Sequence, residues 1–281
     1  MHRALRLLAF CVAALLLLSG CGHSEKLDPD EARFYFFNVG QADCALIRTE
    51  DATVLIDTGN APEDGDADLV RMLRKAGVEK IDLLVLTHPH ADHIGGVASV
   101  FESFFVSACL FPELYVGTDV FAGVLRVIDE SGCRVIKAER GASQEVGSLR
   151  LDVLAPPVAV MGDLNEASAV LRVSYADTVA LFMGDATDET EAALVMLYGG
   201  ALNADILKVS HHGSGNSSVP TFLSAVSPSY AVISCGEGNS YGFPDAGVLR
   251  RLEGVGATVY RTDTDGTVTI SAHRDGSVSV E

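Results

Sequence analysis

The stretch LLVLTHPHADHIGGV, residues 83–97, places three histidines and an aspartate within six positions, directly after an apolar run. His88 and His90 lie one residue apart at the end of a predicted strand, so extended backbone would project both side chains to one side. Asp92 and His93 follow where the chain turns toward a predicted helix. Imidazole and carboxylate groups are common ligands of Zn²⁺ and similar ions, and two adjacent pairs fit a two-metal site. So dense a cluster favours a metal site over a solvated polar loop.

Short strands and helices alternate on both sides of this stretch. Three β-rich runs precede an amphipathic helix at 66–78, and the continuous apolar run at 81–87 is typical of a strand buried on both faces. After a loop around 156–166 a similar order of strands and helices begins again. Two such halves predict two facing sheets between helical layers, in one domain over residues 33–281. Further helices are predicted at 117–130, 187–198, 219–226 and 245–253.

The beginning of the chain has a different character. A positively charged start precedes an apolar run at 7–18, which is shorter than the ~20 residues that cross a bilayer, so we predict a signal peptide over residues 1–20. The run ends in LSGC, which resembles a bacterial lipobox with Cys21 as the lipid-modified residue. We therefore expect a polar tether at 21–32 and an extracytoplasmic protein that is lipid-anchored to the bacterial membrane. An ordinary cleaved signal is the alternative.

Acidic residues dominate the composition, with 20 Lys and Arg against 38 Asp and Glu. Removal of residues 1–20 takes away two arginines and leaves a net charge of −20. Proteins that hold nucleic acid by charge alone rely on clustered Lys and Arg, so this balance argues against that class. A polyanionic substrate would need the help of a metal ion.

Four further cysteines follow Cys21, and none forms a CxxC motif or lies at ligand spacing from a histidine. Outside the cytoplasm a disulfide is permitted, and Cys109 with Cys133 is the pair to test. Buried free thiols are the alternative, above all for Cys44 and Cys235.

A second group of candidates lies in the other half of the chain. His211 and His212 are adjacent in SHHGS, and Asp185 in MGDA ends a predicted strand. Consecutive side chains on an extended strand point apart, so both histidines would not bind one ion. Asp185 has the alternative role of capping the helix predicted at 187–198.

The sequence resembles the metallo-β-lactamase superfamily, whose signature is HxHxDH after a strand. More narrowly, it resembles the branch that contains the C-terminal domain of the competence protein ComEC. The motifs FNVGQADCALI, VLIDTGN, LFMGDA, ADILKVSHHGS and YGFP occur in the order of that branch. The resemblance spans nearly all of the chain after the tether. It implies a four-layer αββα sandwich of the metallo-β-lactamase type and a metal-dependent hydrolase.

The resemblance also implies ligands for two divalent metal ions, Zn²⁺ or Mn²⁺. His88 and His90 would hold one ion, and Asp92 and His93 the other. Asp185 would be the carboxylate that bridges both ions. Asp92 or Asp185 would also orient or deprotonate the attacking water.

Further positions carry weaker expectations from the same resemblance. His212 is favoured as the remaining ligand, with His211 as a substrate contact. Asp57 would orient a ligand; for Asp43 a turn-forming role is favoured, and a role like that of Asp57 is the alternative. Lys208 and Ser214 belong to the motif around the second histidine pair, and a solvated surface lysine is an equal alternative for Lys208.

Two positions differ from the wider superfamily or from the branch. Many superfamily members supply a third histidine at the position of Asn165. The ComEC branch resembles this chain in having asparagine there. The ion there would be held weakly, which suits exchangeable Mn²⁺ as well as Zn²⁺. Phe243 stands where the branch usually has histidine, and a phenyl ring neither donates to phosphate nor carries a proton. The metal end of the site is therefore complete, and the substrate end differs.

For the reaction, the resemblance implies hydrolysis of phosphodiesters outside the cytoplasm, with DNA as one candidate substrate and no protein partner. A hydrolase of small carboxylic esters, lactones or thioesters on the same dinuclear site is an alternative. A lipid-anchored binding protein that has lost activity is a third, and only Phe243 favours it.

Overall fold

The computed structural model describes residues 27–62, 68–114, 116–156 and 163–281. The predicted signal peptide, Cys21 and the first half of the predicted tether, residues 21–26, lie outside these residues. The first strand begins at Glu31, within the segment expected to be tether. In the described ranges, no helix is both long and apolar enough to cross a bilayer.

Strands of the first half and the last two strands of the chain build one sheet. Its members are β1 (Glu31–Phe36), β2 (Ala45–Arg48), β3 (Thr53–Ile56), β5 (Leu83–Val85), β7 (Ala108–Phe111), β8 (Arg134–Lys137), β16 (Val268–His273) and β17 (Val278–Val280). Their order is β17-β16-β1-β2-β3-β5-β7-β8. The predicted meander β1–β2–β3 is antiparallel, and β3, β5, β7 and β8 run parallel. Two short strands, β4 (Lys80–Ile81) and β6 (Phe105–Val106), pair separately.

The second sheet repeats this pattern. Its members are β9 (Ser143–Val146), β10 (Leu149–Ala155), β11 (Val170–Tyr175), β12 (Thr178–Phe182), β13 (Ile206–Lys208), β14 (Tyr230–Ile233) and β15 (Thr258–Arg261). Their order is β15-β14-β13-β12-β11-β10-β9. Strands β9 to β12 are antiparallel, and β12 to β15 are parallel.

Helices connect the parallel strands of both sheets, and a last single turn leads from the second sheet back to the first. They are α1 (Leu69–Lys75), α2 (Ala91–Ile94), α3 (Val97–Ser103), α4 (Asp119–Ser131), α5 (Asp188–Tyr198), α6 (Pro220–Val226), α7 (Ala246–Gly254) and α8 (Thr262–Asp265). Each helix predicted from the sequence is present, with ends shifted by a few residues at most of them. The single turn α8 was not predicted.

Three apolar clusters define four layers. The central cluster lies between the sheets and contains residues such as Phe34, Val54 and Phe182. On β3, Val54 and Ile56 belong to the central cluster, while Leu55 packs outward against α1 to α4. A third cluster packs α5, α6 and α7 on the outer face of the second sheet. The fold is therefore the predicted αββα sandwich, and the unbroken apolar strands are those covered on both faces.

The ends of the chain depart from the expected two halves. Strands β16 and β17 were expected to continue the second half, but β16 pairs with β1, where Phe34 lies opposite Ile270. The first sheet is therefore completed by the last residues of the chain. The described cysteines are free thiols. Cys109 lies opposite Val135, and Cys133 comes just before that strand. The disulfide considered between Cys109 and Cys133 is therefore absent.

Candidate metal centre

The candidate residues meet where parallel strands of both sheets end. Asp57 follows β3, the stretch from His88 follows β5, Asp185 follows β12, and His211 and His212 follow β13. Open sheets of parallel strands place their sites at the carboxyl ends of the strands, and here two such edges face each other. Both halves of the sequence therefore contribute to one cluster.

Glycines allow the first stretch to fold close to the β3 loop. The backbone is extended at His90 and turns directly into α2, which brings His93 inward. A Cβ atom on Gly96 would lie 2.3 Å from the carbonyl oxygen of Thr58, and one on Gly95 would lie 2.4 Å from the nitrogen of Ala61. Only glycine fits this approach without displacing backbone.

Asp185 is the centre of the cluster and is 2% exposed. Its Oδ1 lies 3.2 Å from Nε2 of His93. Its Oδ2 lies 3.7 Å from Nε2 of His88, 3.7 Å from Nε2 of His212 and 3.8 Å from Nε2 of His211. One carboxylate thus faces four imidazoles, as expected of a bridging ligand.

Two further pairs flank this centre. Nε2 of His88 and Nδ1 of His90 lie 2.9 Å apart, so both rings present a nitrogen to the same point. Nε2 of His212 lies 3.3 Å from Oδ2 of Asp92. The structure brings together all six residues expected as ligands: His88, His90, Asp92, His93, Asp185 and His212.

Several inward-facing atoms of this cluster are buried without a hydrogen-bond partner among the described residues. They are Nε2 of His93, Nε2 of His212 and Oδ1 of Asp185. A buried polar atom without a partner is costly, and a coordinated cation removes that cost. Ligand atoms of His88, His93 and Asp185, and those of Asp92, His93 and His212, lie within 4.8 Å of one another. The donor set of imidazoles and carboxylates therefore fits divalent metal ions.

The charges of the cluster follow from burial and mutual contact. Burial lowers the pKa of His88 well below its ordinary value, so this ring is neutral, the form that binds metals. Burial opposes protonation of His212 too, but Asp185 and Asp43 outweigh it and raise its pKa to about 10. Burial would raise the pKa of Asp185, yet the surrounding histidines hold it well below its ordinary value. Asp185 is therefore ionised at neutral pH, the form in which a carboxylate binds cations.

Asp57 orients His93 as expected for a residue behind a ligand. Its Oδ2 lies 2.8 Å from Nδ1 of His93. The same carboxylate accepts the backbone N–H of Thr87 at 2.8 Å and the Thr87 hydroxyl at 2.7 Å. Burial raises the pKa of Asp57 despite the neighbouring His93. Three contacts fix this aspartate, and it fixes the ring so that Nε2 faces Asp185.

Asp43 and Lys208 form a buried ion pair, which bears on the alternatives left open for both residues. Nζ of Lys208 lies 2.7 Å from Oδ2 of Asp43, and the lysine is 3% exposed. Oδ1 of Asp43 lies 3.4 Å from Nδ1 of His212. Lys208 is therefore not a solvated surface lysine. Its ammonium group compensates the buried Asp43 carboxylate, which would be costly to bury alone. Nδ1 of His212 lies closer to the backbone carbonyl of Ser234, at 3.0 Å, so Asp43 adds a buried charge behind a hydrogen bond that the backbone makes.

The second histidine pair adopts a conformation that the sequence did not predict. His211 and His212 lie in a turn with φ of 48° and 53°, in the left-handed region, and are not on an extended strand. Successive left-handed residues without glycine carry strain of roughly 1–3 kcal/mol each and concentrate at functional sites. The turn buries His212, while His211 keeps 21% of its side chain exposed. The favoured division between ligand and substrate contact thus matches their burial.

Two charged residues hold the loop after this turn. Glu191 on α5 is fully buried and accepts the backbone N–H groups of Ser218 at 2.6 Å and Val219 at 2.8 Å. Arg251 on α7 donates to the carbonyl oxygens of Ser217 and Ser218 at 2.8 Å and 2.7 Å. Burial raises the pKa of Glu191 to about 7, against the two backbone donors. The loop is therefore fixed from both sides.

Other expected residues have more limited contacts. Helix α5 begins at Asp188 with Thr187 as its cap, so Asp185 does not cap it. Ser214 is buried, and its hydroxyl donates to the side chain of Asn216 at 2.7 Å. Its contact is therefore with its own loop, since no atom of it lines the cavity described next.

A cavity of about 500 Å³ opens from the cluster to solvent. It is lined by Gln41, His90, Ala91, Asp92, Asn165, Asp185, His211, His212, Tyr241 and Phe243. Oδ1 of Asn165 is buried without a hydrogen-bond partner among the described residues, so it is free to bind a cation or substrate. The sequence pattern did not single out Gln41 or Tyr241, although they lie in the motifs NVGQADC and YGFP.

Two mixed sheets with this His and Asp cluster between their strand ends define the metallo-β-lactamase class of fold. The chain belongs to the metallo-β-lactamase superfamily, whose sequence model matches residues 37–237. It is 33% identical to Competence protein ComA from Neisseria gonorrhoeae over 290 residues, which cover 97% of this chain and 39% of that protein. It is 28% identical to ComE operon protein 3 from Bacillus subtilis over 85% of this chain and 33% of that protein.

These relatives confirm the ComEC-like branch predicted from the motifs. The chain spans between a third and two fifths of their length. Among solved structures, it is similar to the metallo-β-lactamase fold protein YhfI from Bacillus subtilis. The TM-score is 0.56 at 11% identity, over 90% of this chain and 100% of that one. Such low identity supports the fold alone.

Proposed function

We propose that the protein is a metal-dependent phosphodiesterase with a dinuclear site. The observation that carries this proposal is the convergence of unpartnered Nε2 atoms of His93 and His212 on Asp185. His88, His90 and Asp185 would hold one ion, with Asn165 beside it, and Asp92, His93, Asp185 and His212 the other. Bound divalent cations would lower the pKa of a water molecule and offset negative charge on the phosphodiester.

The residues of the chain prepare this chemistry. Asp57 orients His93 from behind, and the backbone carbonyl of Ser234, 3.0 Å from Nδ1 of His212, orients His212, so that the free nitrogens face inward. Asp92, partly exposed at the cavity, is placed to accept a proton from an attacking water. Burial would raise its pKa, but His212 outweighs it and keeps the pKa low, so Asp92 is ionised at neutral pH. His211 lines the cavity and can donate to a phosphate oxygen.

The phosphodiester substrate is supported by the ComEC-like branch, and the similarity to a competence protein agrees with it. DNA outside the cytoplasm is the substrate we propose, with the protein tethered to the membrane through a lipid on Cys21. Whether the native metal is Zn²⁺ or Mn²⁺ follows from which ion restores activity.

The test uses the purified chain, stripped of metal with a chelator and then supplied with Mn²⁺ or Zn²⁺. We expect cleavage of single-stranded DNA and of bis-p-nitrophenyl phosphate, and no cleavage of p-nitrophenyl acetate. Asp185→Asn should reduce the rate about 100-fold or more, because it removes the carboxylate that both ions would share at the reacting centre. His273→Gln, at a histidine outside the cluster, is the matched control and should leave the rate unchanged. Hydrolysis of the carboxylic ester alone would contradict the proposal.

A further inference from the structure

Two aromatic rings continue the site from the cluster to solvent. Phe243 lies 5.8 Å from the His211 ring, edge to face at 66°. Tyr241 stacks on Phe243 at 5.6 Å and 16°. Tyr241 is 68% exposed and lines the same cavity as Asp185. An unbroken series of rings therefore runs from the carboxylate centre to the cavity rim.

The loop that carries the two rings is held rigidly. The Asn239 side chain accepts the backbone N–H of Phe243 at 3.0 Å and donates to its carbonyl oxygen at 2.7 Å. Gln41 accepts the N–H of Gly236 at 3.0 Å, which fixes the start of the loop. A Cβ on Gly213 would lie 2.6 Å from Cβ of Pro244, so the loop packs directly on the histidine turn. The rings are thus in place before a ligand arrives, which lowers the entropic cost of binding.

The cavity has little else with which to hold an extended polyanion. None of its described lining residues is Lys or Arg, and Asp92 and Asp185 are acidic. The whole chain carries a formal charge of −18. Proteins normally hold a nucleic-acid backbone through Lys and Arg. Contacts with another part of the substrate must therefore supply affinity, and stacking on an aromatic ring gives about 1–3 kcal/mol per base.

We infer that Tyr241 and Phe243 form a stacking platform for a nucleobase attached to the phosphodiester that is cleaved. The inference rests on the proposed phosphodiesterase and names its substrate class, a nucleotide-bearing phosphodiester in single-stranded form. Bases in a duplex already stack on their neighbours and do not present a free face to Tyr241. Phe243, which cannot replace the histidine of the branch as a proton donor, contributes ring surface.

The experiment compares two substrates with the same leaving group, thymidine 5′-(p-nitrophenyl phosphate) and methyl p-nitrophenyl phosphate. Wild-type protein with Mn²⁺ should have the higher kcat/KM for the thymidine compound. Tyr241→Leu should lower kcat/KM for that compound about 5- to 100-fold and leave the methyl compound within about twofold. Tyr241→Phe, which keeps the ring, should retain the preference. Phe105→Leu is the matched control, since Phe105 is 72% exposed and lies on β6, away from the cavity.

A binding measurement accompanies the kinetics. Saturation-transfer NMR with thymidine 5′-monophosphate should show contact between the base protons and the protein. Tyr241→Leu should remove that signal, and Phe105→Leu should keep it.

The outcomes separate the two proposals. Equal turnover of both substrates by wild type, or an equal loss on both in Tyr241→Leu, would overturn the stacking platform alone. Preference for p-nitrophenyl phosphorylcholine over the thymidine compound would overturn it in favour of a cation over the rings. Turnover of neither phosphodiester with either metal would overturn the phosphodiesterase itself, and the platform with it.

Discussion

Nδ1 of His93 lies 2.8 Å from Oδ2 of Asp57, and this contact leaves the other ring nitrogen facing Asp185. Asp57→Asn keeps the shape of the side chain but replaces one accepting oxygen by a donor. We expect metal affinity to fall about 10- to 100-fold, because an orienting partner of a ligand is lost. Competition with a chromophoric chelator measures this affinity.

Asp263→Asn is the control for this substitution. Asp263 is bonded to Arg261 at 2.6 Å, away from the described metal cluster, and its loss should leave metal affinity within twofold. An Asp57→Asn protein with wild-type affinity would show that His93 does not depend on Asp57 for its orientation.

The buried pair of Lys208 and Asp43 predicts a large loss of stability. Lys208→Met leaves the Asp43 carboxylate without its ammonium partner, and removing one member of such a pair costs about 3–5 kcal/mol. Urea unfolding measures the change. Lys137→Met should cost far less, because Lys137 is 42% exposed where it pairs with Glu113 and water screens that pair. Comparable losses in the two variants would contradict the buried pair.

Gly96 predicts a steric effect that the sequence alone does not quantify. Gly96→Ala would place a Cβ atom 2.3 Å from the carbonyl oxygen of Thr58, and we expect a loss of about 1–3 kcal/mol in the free energy of unfolding. Gly123→Ala on α4 meets open space and should instead stabilise the protein by up to about 1 kcal/mol. Thermal unfolding should show a lower melting temperature for Gly96→Ala and a higher one for Gly123→Ala. An unchanged melting temperature in Gly96→Ala would refute the close approach of Gly96 to Thr58.

Glu191 predicts a pH dependence of stability. Its pKa rises from 4.5 to about 7 on folding, so the folded state favours the protonated form. The contribution of Glu191 to the free energy of unfolding is fully present below pH 4.5 and is lost as the pH rises through 7. Between pH 5 and 8 the wild type should lose roughly 2 kcal/mol relative to Glu191→Gln, which does not titrate.

Urea unfolding of both proteins at pH 5 and pH 8 measures this difference. Glu189→Gln, at the exposed start of the same helix, is the control and should track the wild type across the pH range. A gap between wild type and Glu191→Gln that does not change with pH would contradict the raised pKa.

The layers of the fold could be predicted because local patterns encode them, whereas Asp185 and His212 were expected as ligands only through the family resemblance. Unbroken apolar strands such as residues 83–86 indicated burial on both faces, and His88 to His93 indicated ligands by spacing alone. The pairing of β16 with β1 was not predicted, since Phe34 and Ile270 meet only through tertiary structure. Burial of Lys208 depends in the same way on Asp43, which is distant in the sequence.

The histidine pair shows a different limit. Alternation of side chains assumes extended backbone, and His211 and His212 adopt left-handed backbone that is rare outside glycine. The sequence-based separation of their roles agreed with the burial of the two rings, but for a different physical reason. The exposure of Tyr241 likewise depends on the loop that Asn239 closes, and no periodic pattern encodes it.

The direction in which β1 runs decides which end of the sandwich the start of the described chain joins. β1 and β3 each pair antiparallel with β2, so they point the same way. Asp43 follows β1 and reaches the metal cluster, whereas Leu27 to Glu31 enter at the opposite edge of the sandwich. If the predicted tether anchors the chain as proposed, it joins the fold at the end opposite to the metal cluster. The mouth of the cavity would then face away from the membrane.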